Sequence, residues 1–103
     1  SIMTTNEYMR ELQKERIRTH ESKNYKFSEA EILFDVKSYI DDTYSSHYAK
    51  DPKQATELII ENGLGEGFCI GNILKYAQRY GKKDGHNKND LLKVIHYAII
   101  QLS

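Results

Sequence analysis

Residues 68–85 constrain the fold of this chain most strongly, because they fit one amphipathic α-helix that runs into a glycine-containing basic turn. At about 100° per residue, the apolar side chains fall on one side of this helix: Cys69, Ile70, Ile73, Leu74, Ala77 and Tyr80. The opposite side carries the cations and an amide, together with a glycine and a phenylalanine: Phe68, Gly71, Asn72, Lys75, Arg79, Lys82 and Lys83. We expect the first side to face the core. The second side has the groups that bind phosphate, although a solvated face paired with an acidic helix is the alternative.

The chain as a whole predicts an all-α fold of about five helices, because it has one proline, six glycines and no alternating apolar run. The predicted helices cover residues 5–19, 28–44, 51–63, 68–81 and 89–102, with a glycine-rich hinge over 64–67. Ser28 and Glu31 form a capping box, Asp51 precedes Pro52 at a helix start, and Asp90 is a candidate cap of the last helix. The fourth and fifth helices are expected to form a basic pair near the C-terminus.

A chain of 103 residues is expected to form a single domain with a modest core. We divide it into a charged N-terminal helix with its connector, residues 1–27, and a helical body, residues 28–103. The first helix has a thin apolar stripe of Tyr8, Met9, Leu12 and Ile17. Such a stripe cannot hold a helix by itself, so this helix packs either on the body or on another subunit.

Charge is unevenly distributed along a chain whose formal net charge is zero. Residues 28–44 carry a net charge of minus four, whereas residues 68–93 carry plus four. A local basic patch on a neutral protein favours a compact anionic ligand over a long nucleic acid. The single cysteine, Cys69, excludes an internal disulfide and is predicted to be a buried apolar residue. No apolar run approaches the ~18 residues that a membrane span needs.

Aromatic residues offer candidate surfaces for a nucleobase, since the chain has eight tyrosines and no tryptophan. Tyr76 lies at the border of the basic face and is the better stacking candidate, whereas Tyr80 is predicted to lie in the core. Phe68 could support a base or seal a subunit interface, and we hold both roles open. His47 and Tyr48 lie in a loop, where the histidine could be a ligand-binding group or a surface or capping residue.

Several catalytic patterns are missing from the sequence. The glycines at 63, 65, 67 and 71 do not form a phosphate-binding loop that ends in Gly-Lys-Ser/Thr. The remaining histidines have no metal-ligand spacing, and no catalytic triad or paired catalytic carboxylates are evident. We therefore predict no catalytic residue, no metal and no cofactor.

The order of several motifs resembles the SaV-like family of small bacteriophage proteins over residues 45–102. The motifs are His47-Tyr48, Phe68, Gly71-Asn72, Lys75-Tyr76, Arg79, Gly81-Lys82-Lys83, Asp90-Leu91, Lys93 and Tyr97. The resemblance implies a phage origin, the cytoplasm of an infected bacterial host and a nucleotide ligand, because the family includes nucleotide kinases that lack a P-loop. The candidate ligand-binding residues are His47, Tyr48, Phe68, Gly71, Asn72, Lys75, Tyr76, Arg79, Lys82, Lys83, Lys93 and Tyr97.

Two functions compete for such a chain. The first is a nucleotide sponge that sequesters a signal, with a cyclic dinucleotide as the candidate, and so evades host antiviral defence. The second is a nucleoside monophosphate kinase, which needs two nucleotide sites and usually a metal held by carboxylates. A third, acting directly on a host defence protein, stays open. We favour the sponge, and we expect a homo-oligomer because ~100 residues can hardly enclose a nucleotide alone.

Overall fold

The protein is all-α, as the sequence predicts. A computed structural model describes residues 2–20, 24–45 and 50–103, with only the backbone described at 17–20 and 50–52. Five helices follow one another: α1 (Thr5–His20), α2 (Glu29–Thr43), α3 (Lys50–Glu61), α4 (Gly65–Arg79) and α5 (Lys88–Leu102). No strand occurs within these ranges. The α4 helix begins at Gly65, so most of the predicted hinge is helical.

Residues 1–38 form the first of two compact units, which holds α1 and the first part of α2. The side chain of Thr4 accepts a hydrogen bond from the Glu7 N–H at 3.1 Å, which satisfies one of the free donors at the start of α1. An ion pair joins the two helices, with Lys14 Nζ 2.7 Å from Asp35 Oδ1. About half of Tyr8 and of Met9 is exposed, so the thin stripe of α1 is only partly covered.

Residues 39–103 form the second compact unit, which we call the C-terminal unit. In it α4 packs along α5, and α3 contacts α4. Gly63 follows α3 with a φ of 77°, and this left-handed conformation ends the helix where the sequence predicts. Between α4 and α5 the chain turns tightly, because the Gly81 N–H donates to the Gly85 carbonyl at 2.9 Å. The imidazole of His86 lies against the Tyr80 ring, with centroids 5.1 Å apart.

The predicted orientation of α4 is wrong. Of its expected core face, Cys69 is buried, but Ile70 is 43% exposed and Leu74 is 65% exposed. The surface that meets α5 is instead the one that carries Phe68, Tyr76 and Arg79, which contact α5 side chains. Aromatic rings and a long arginine can pack in a helix interface as well as aliphatic groups can. Hydropathy alone therefore predicted the wrong side of α4 as the one that packs against the rest of the chain.

The predicted cap of α5 is also wrong. Asn87 precedes the helix in an extended conformation, and its side chain accepts a hydrogen bond from the Asn89 N–H at 2.9 Å. Asp90 lies inside the first turn and is 2% exposed. Asparagine is among the preferred N-cap residues because its short side chain reaches the free N–H groups of the first turn. This leaves the Asp90 carboxylate for another partner.

No helix in the described part of the chain is long and apolar enough to cross a membrane.

We expect Asn87→Ala to lower the free energy of unfolding by about 1 kcal/mol, because it removes the N-cap of α5. The control is Asn89→Ala, which changes an exposed residue within the first turn and should be neutral or slightly stabilising, since alanine favours the helix. Urea denaturation followed by circular dichroism measures both variants. Equal stability of the two would contradict the assigned cap.

Candidate functional site

The contact between α4 and α5 is built from aromatic rings. The rings of Tyr76 and Tyr97 lie nearly parallel, at 6° with centroids 6.2 Å apart. Phe68 meets the Tyr97 ring edge-on, at 80° and 5.6 Å. Both geometries are favoured by the charge distribution of aromatic rings. Phe68 therefore has an aromatic partner within the chain, and the two roles that the sequence left open for it stay predictions.

Three cations surround the Tyr76 ring. Lys93 Nζ lies 4.8 Å from the ring centroid, Lys75 Nζ 5.2 Å and the Arg79 guanidinium carbon 5.6 Å. Attraction to the ring holds each cation, but the three positive charges share one small region and repel one another. The structure thus brings together four of the predicted site residues, from two helices, in an arrangement that favours an anion.

A cavity of about 970 Å³ opens beside this cluster in the C-terminal unit. Tyr76, Lys93 and Tyr97 are the predicted site residues that line it. Two further tyrosines contribute to its wall, Tyr39 and Tyr44, both from α2 or the turn that follows it. Ligand pockets for small molecules commonly have volumes of ~300–1,000 Å³ and predominantly apolar or aromatic walls, so this cavity has the size and the lining to enclose one.

The other titratable side chains that line the cavity, apart from the tyrosines, come from α2, α3 and α5. Lys53 lines it with its Nζ directly over the Tyr44 ring, 2.8 Å from the centroid. His96 contributes an imidazole that meets the Tyr39 ring edge-on, with centroids 6.2 Å apart. The carboxylates Asp42 and Glu57 complete the set. The cavity therefore combines cations, acceptors and aromatic faces, as a ligand with both anionic and ring portions requires.

Protonation in this cavity follows from burial and neighbouring charge. Burial raises the pKa of Tyr97 and of Tyr39, so both hydroxyls stay neutral hydrogen-bond donors. Burial lowers the pKa of His96, and the positive charge of Lys53 lowers it further. The imidazole is consequently neutral at pH 7. Burial also raises the pKa of Cys69, which is 1% exposed, so the prediction that it is a buried apolar residue is confirmed.

Arg79 has a partner that the sequence did not suggest. Its Nε lies 3.5 Å from Asp90 Oδ1, and the Asp90 side chain is 2% exposed. Neither Arg79 Nε nor Asp90 Oδ2 has a hydrogen-bond partner among the described residues. A buried carboxylate without a cation is costly, so Arg79 is held between α4 and α5 by Asp90 as well as by the Tyr76 ring. Its expected position on a free face is wrong.

The other predicted site residues that the structure describes do not line the cavity. The Asn72 amide donates to the Phe68 carbonyl at 2.9 Å, and Gly71 is exposed on α4. Lys82 and Lys83 are exposed after the helix, and Lys82 Nζ reaches Gln78 Oε1 at 3.5 Å. A further pair, His47 and Tyr48, lies outside the described residues.

Sequence reasoning missed Tyr39, Tyr44, Lys53, Glu57 and His96. These residues lie on three separate helical segments and share no motif, so only tertiary packing brings them together. The high number of tyrosines was the only sequence feature that indicated an aromatic site, but it did not distinguish the tyrosines of the cavity from the others. No group of three or more potential metal ligands occurs within residues 2–20, 24–45 and 50–103.

We expect Arg79→Ala to lower the free energy of unfolding by about 2–4 kcal/mol, because it leaves the buried Asp90 carboxylate without its cation. Lys75→Ala removes an exposed cation from the same helix and should change stability by less than about 0.5 kcal/mol. Chemical denaturation of both variants measures the difference. Wild-type stability in Arg79→Ala would contradict the ion pair.

Comparison with known proteins gives one family. The DUF3310 family, described as proteins of unknown function, matches residues 42–99. No curated protein and no solved structure gives a significant match. The matched segment is more than half of the chain and runs from Asp42, at the cavity wall, past Tyr97. The chain belongs to the DUF3310 family.

Proposed function

We propose that this protein binds a nucleotide in the cavity of its C-terminal unit and sequesters it without converting it. The observation that carries the proposal is the group of three cations around Tyr76, a ring that also lines a cavity of about 970 Å³. One region therefore offers positive charge for phosphate and aromatic surface for a base.

In this proposal the phosphate of the nucleotide binds at the cation cluster, because opposite charges attract. Asp90 neutralises part of the charge of Arg79, whereas Lys75 and Lys93 have no carboxylate within ion-pair distance among the described residues. A phosphate group between them replaces mutual repulsion by attraction, and each charge-assisted hydrogen bond is stronger than a neutral one. Lys93 is the central residue of this interaction, since it lines the cavity and lies closest to the Tyr76 ring.

In this proposal the base of the nucleotide stacks on the tyrosine rings that line the cavity. A tyrosine ring stacks on any base, because every base has a π-face. Tyr39, Tyr44, Tyr76 and Tyr97 line one cavity and offer several such faces. The neutral hydroxyls of Tyr39 and Tyr97 can also donate hydrogen bonds to ring nitrogens or carbonyls.

The biological role in this proposal rests on the resemblance to the SaV-like family of phage proteins. The chain would act in the cytoplasm of an infected bacterium, hold a nucleotide signal, with a cyclic dinucleotide as the candidate, and so blunt an antiviral defence. A sponge needs affinity and stoichiometric amounts rather than turnover. The cavity supports the binding part of this role through its cations and rings.

Lys93→Ala should weaken nucleotide binding by about tenfold to a hundredfold, the scale of one hydrogen bond between charged groups. Lys83→Ala is the control, because Lys83 is exposed and does not line the cavity. Isothermal titration calorimetry with mono-, di- and cyclic nucleotides measures both. Affinity should also fall as salt concentration rises, since the contacts are mainly between cations and phosphate.

Chemical analysis of the ligand separates binding from turnover. After incubation of the complex with ATP and magnesium, the nucleotide released by heat should be chemically unchanged. Formation of a phosphorylated or hydrolysed product at catalytic turnover would show that the protein is an enzyme and not a sponge. In the titrations, equal affinity of Lys93→Ala and wild type would show that the nucleotide does not bind in this cavity.

We also propose that the protein is a homo-oligomer that associates through the outer face of α4. Within the described residues the buried apolar side chains are only Ala30, Val36 and Cys69. Ile70 and Leu74 lie exposed on the side of α4 away from α5, and a Cβ added at Gly71 would meet nothing within 4 Å. An interior helical glycine costs ~0.5–1 kcal/mol relative to alanine, so close approach of a second subunit would explain it.

Leu74→Glu should shift the protein towards the monomer by about tenfold or more in the dissociation constant, because it places a charge in an apolar interface. Leu58→Glu, at a similarly exposed position on α3, is the control and should leave assembly unchanged. Light scattering coupled to size-exclusion chromatography gives the mass of each variant. A monomeric wild type would refute the oligomer.

A further inference from the structure

The two walls of the cavity differ in net charge. The cation cluster belongs to α4 and α5, where Lys93 lines the wall beside Tyr76. The opposite wall, from α2 and α3, carries two carboxylates, Asp42 and Glu57, against one cation, Lys53. Carboxylates repel a phosphate, and the cations attract it. A bound nucleotide is therefore oriented with its phosphate at the α4–α5 wall and its remaining polar groups towards the α2–α3 wall.

Glu57 is free to contact such a ligand. It is exposed at the cavity, and it makes no hydrogen bond or ion pair with any other described residue. Lys53, one helical turn earlier on the same helix, lies over the Tyr44 ring and not within ion-pair distance of Glu57. An ionised carboxylate only accepts hydrogen bonds. The ligand group that meets Glu57 must consequently be a donor.

We propose that Glu57 is a specificity-determining residue that selects a nucleotide whose base carries an exocyclic amino group, with guanine preferred. This inference rests on the proposed function. Guanine presents a ring N–H and an adjacent amino group, which match the two oxygens of one carboxylate in a bidentate contact. Adenine and cytosine offer an amino group beside an acceptor nitrogen. Uracil presents carbonyl oxygens on both sides of its N–H, and these repel a carboxylate.

The test compares guanosine, inosine and uridine 5′-diphosphates by calorimetry on the full chain. The guanosine and inosine compounds differ only by the exocyclic amino group. Wild-type protein should bind the guanosine compound about tenfold or more tightly than the inosine compound, the scale of one hydrogen bond to a charged acceptor. The uridine compound should bind most weakly.

Glu57→Gln should remove most of the preference for guanosine over inosine while the uridine compound keeps or gains affinity. Glu61→Gln is the matched control, because Glu61 is exposed one turn further along α3 and does not line the cavity. Equal wild-type affinity for guanosine and inosine diphosphates, or a preference that survives Glu57→Gln, would overturn the role of Glu57 while nucleotide binding stands. Absence of binding by all three diphosphates and by the cyclic nucleotides would overturn the proposed function and this inference together.

Discussion

The stacking of Tyr76 on Tyr97 is the interaction on which the rest of the C-terminal unit depends. It packs α4 against α5, and Phe68 of α4 adds a second, edge-to-face contact with the Tyr97 ring. Because Tyr76 is held, its ring becomes the common centre around which cations from both helices gather. The same two tyrosines form part of the cavity wall. One pair of rings thus packs the two helices together and lines the cavity in which we propose that a nucleotide binds.

A cost follows from this arrangement. The side of α4 that packs on α5 carries Tyr76 and Arg79 in place of aliphatic side chains. The aliphatic residues Ile70 and Leu74 are therefore left exposed. Arg79 is drawn into the interface with a buried carboxylate, Asp90, which by itself adds little net stability. The apolar surface that the chain leaves exposed is the physical reason for the proposed association between copies of the chain.

The helices were predictable because their signals are local. Periodicity, the single proline and the glycine at 63 placed five helices with small errors at their ends. The inward face of α4 was not predictable from hydropathy, since Tyr76 and Arg79 pack through rings and long side chains. The motif gave Tyr76, Lys93 and Tyr97 of the cavity. Lys53 and the other wall residues of α2 and α3 were beyond sequence reasoning, because only tertiary contacts bring them near α5.

We propose that the aromatic cavity of the C-terminal unit binds the nucleotide, and NMR signals of the tyrosine rings report such binding at the residues themselves. In protein labelled with ¹³C at tyrosine rings, addition of a nucleotide should shift the signals of Tyr39, Tyr76 and Tyr97. The rings of Tyr8 and Tyr25, which belong to the N-terminal unit, should not move. Shifts confined to Tyr8 or Tyr25, or unchanged spectra at saturating nucleotide, would contradict nucleotide binding in this cavity.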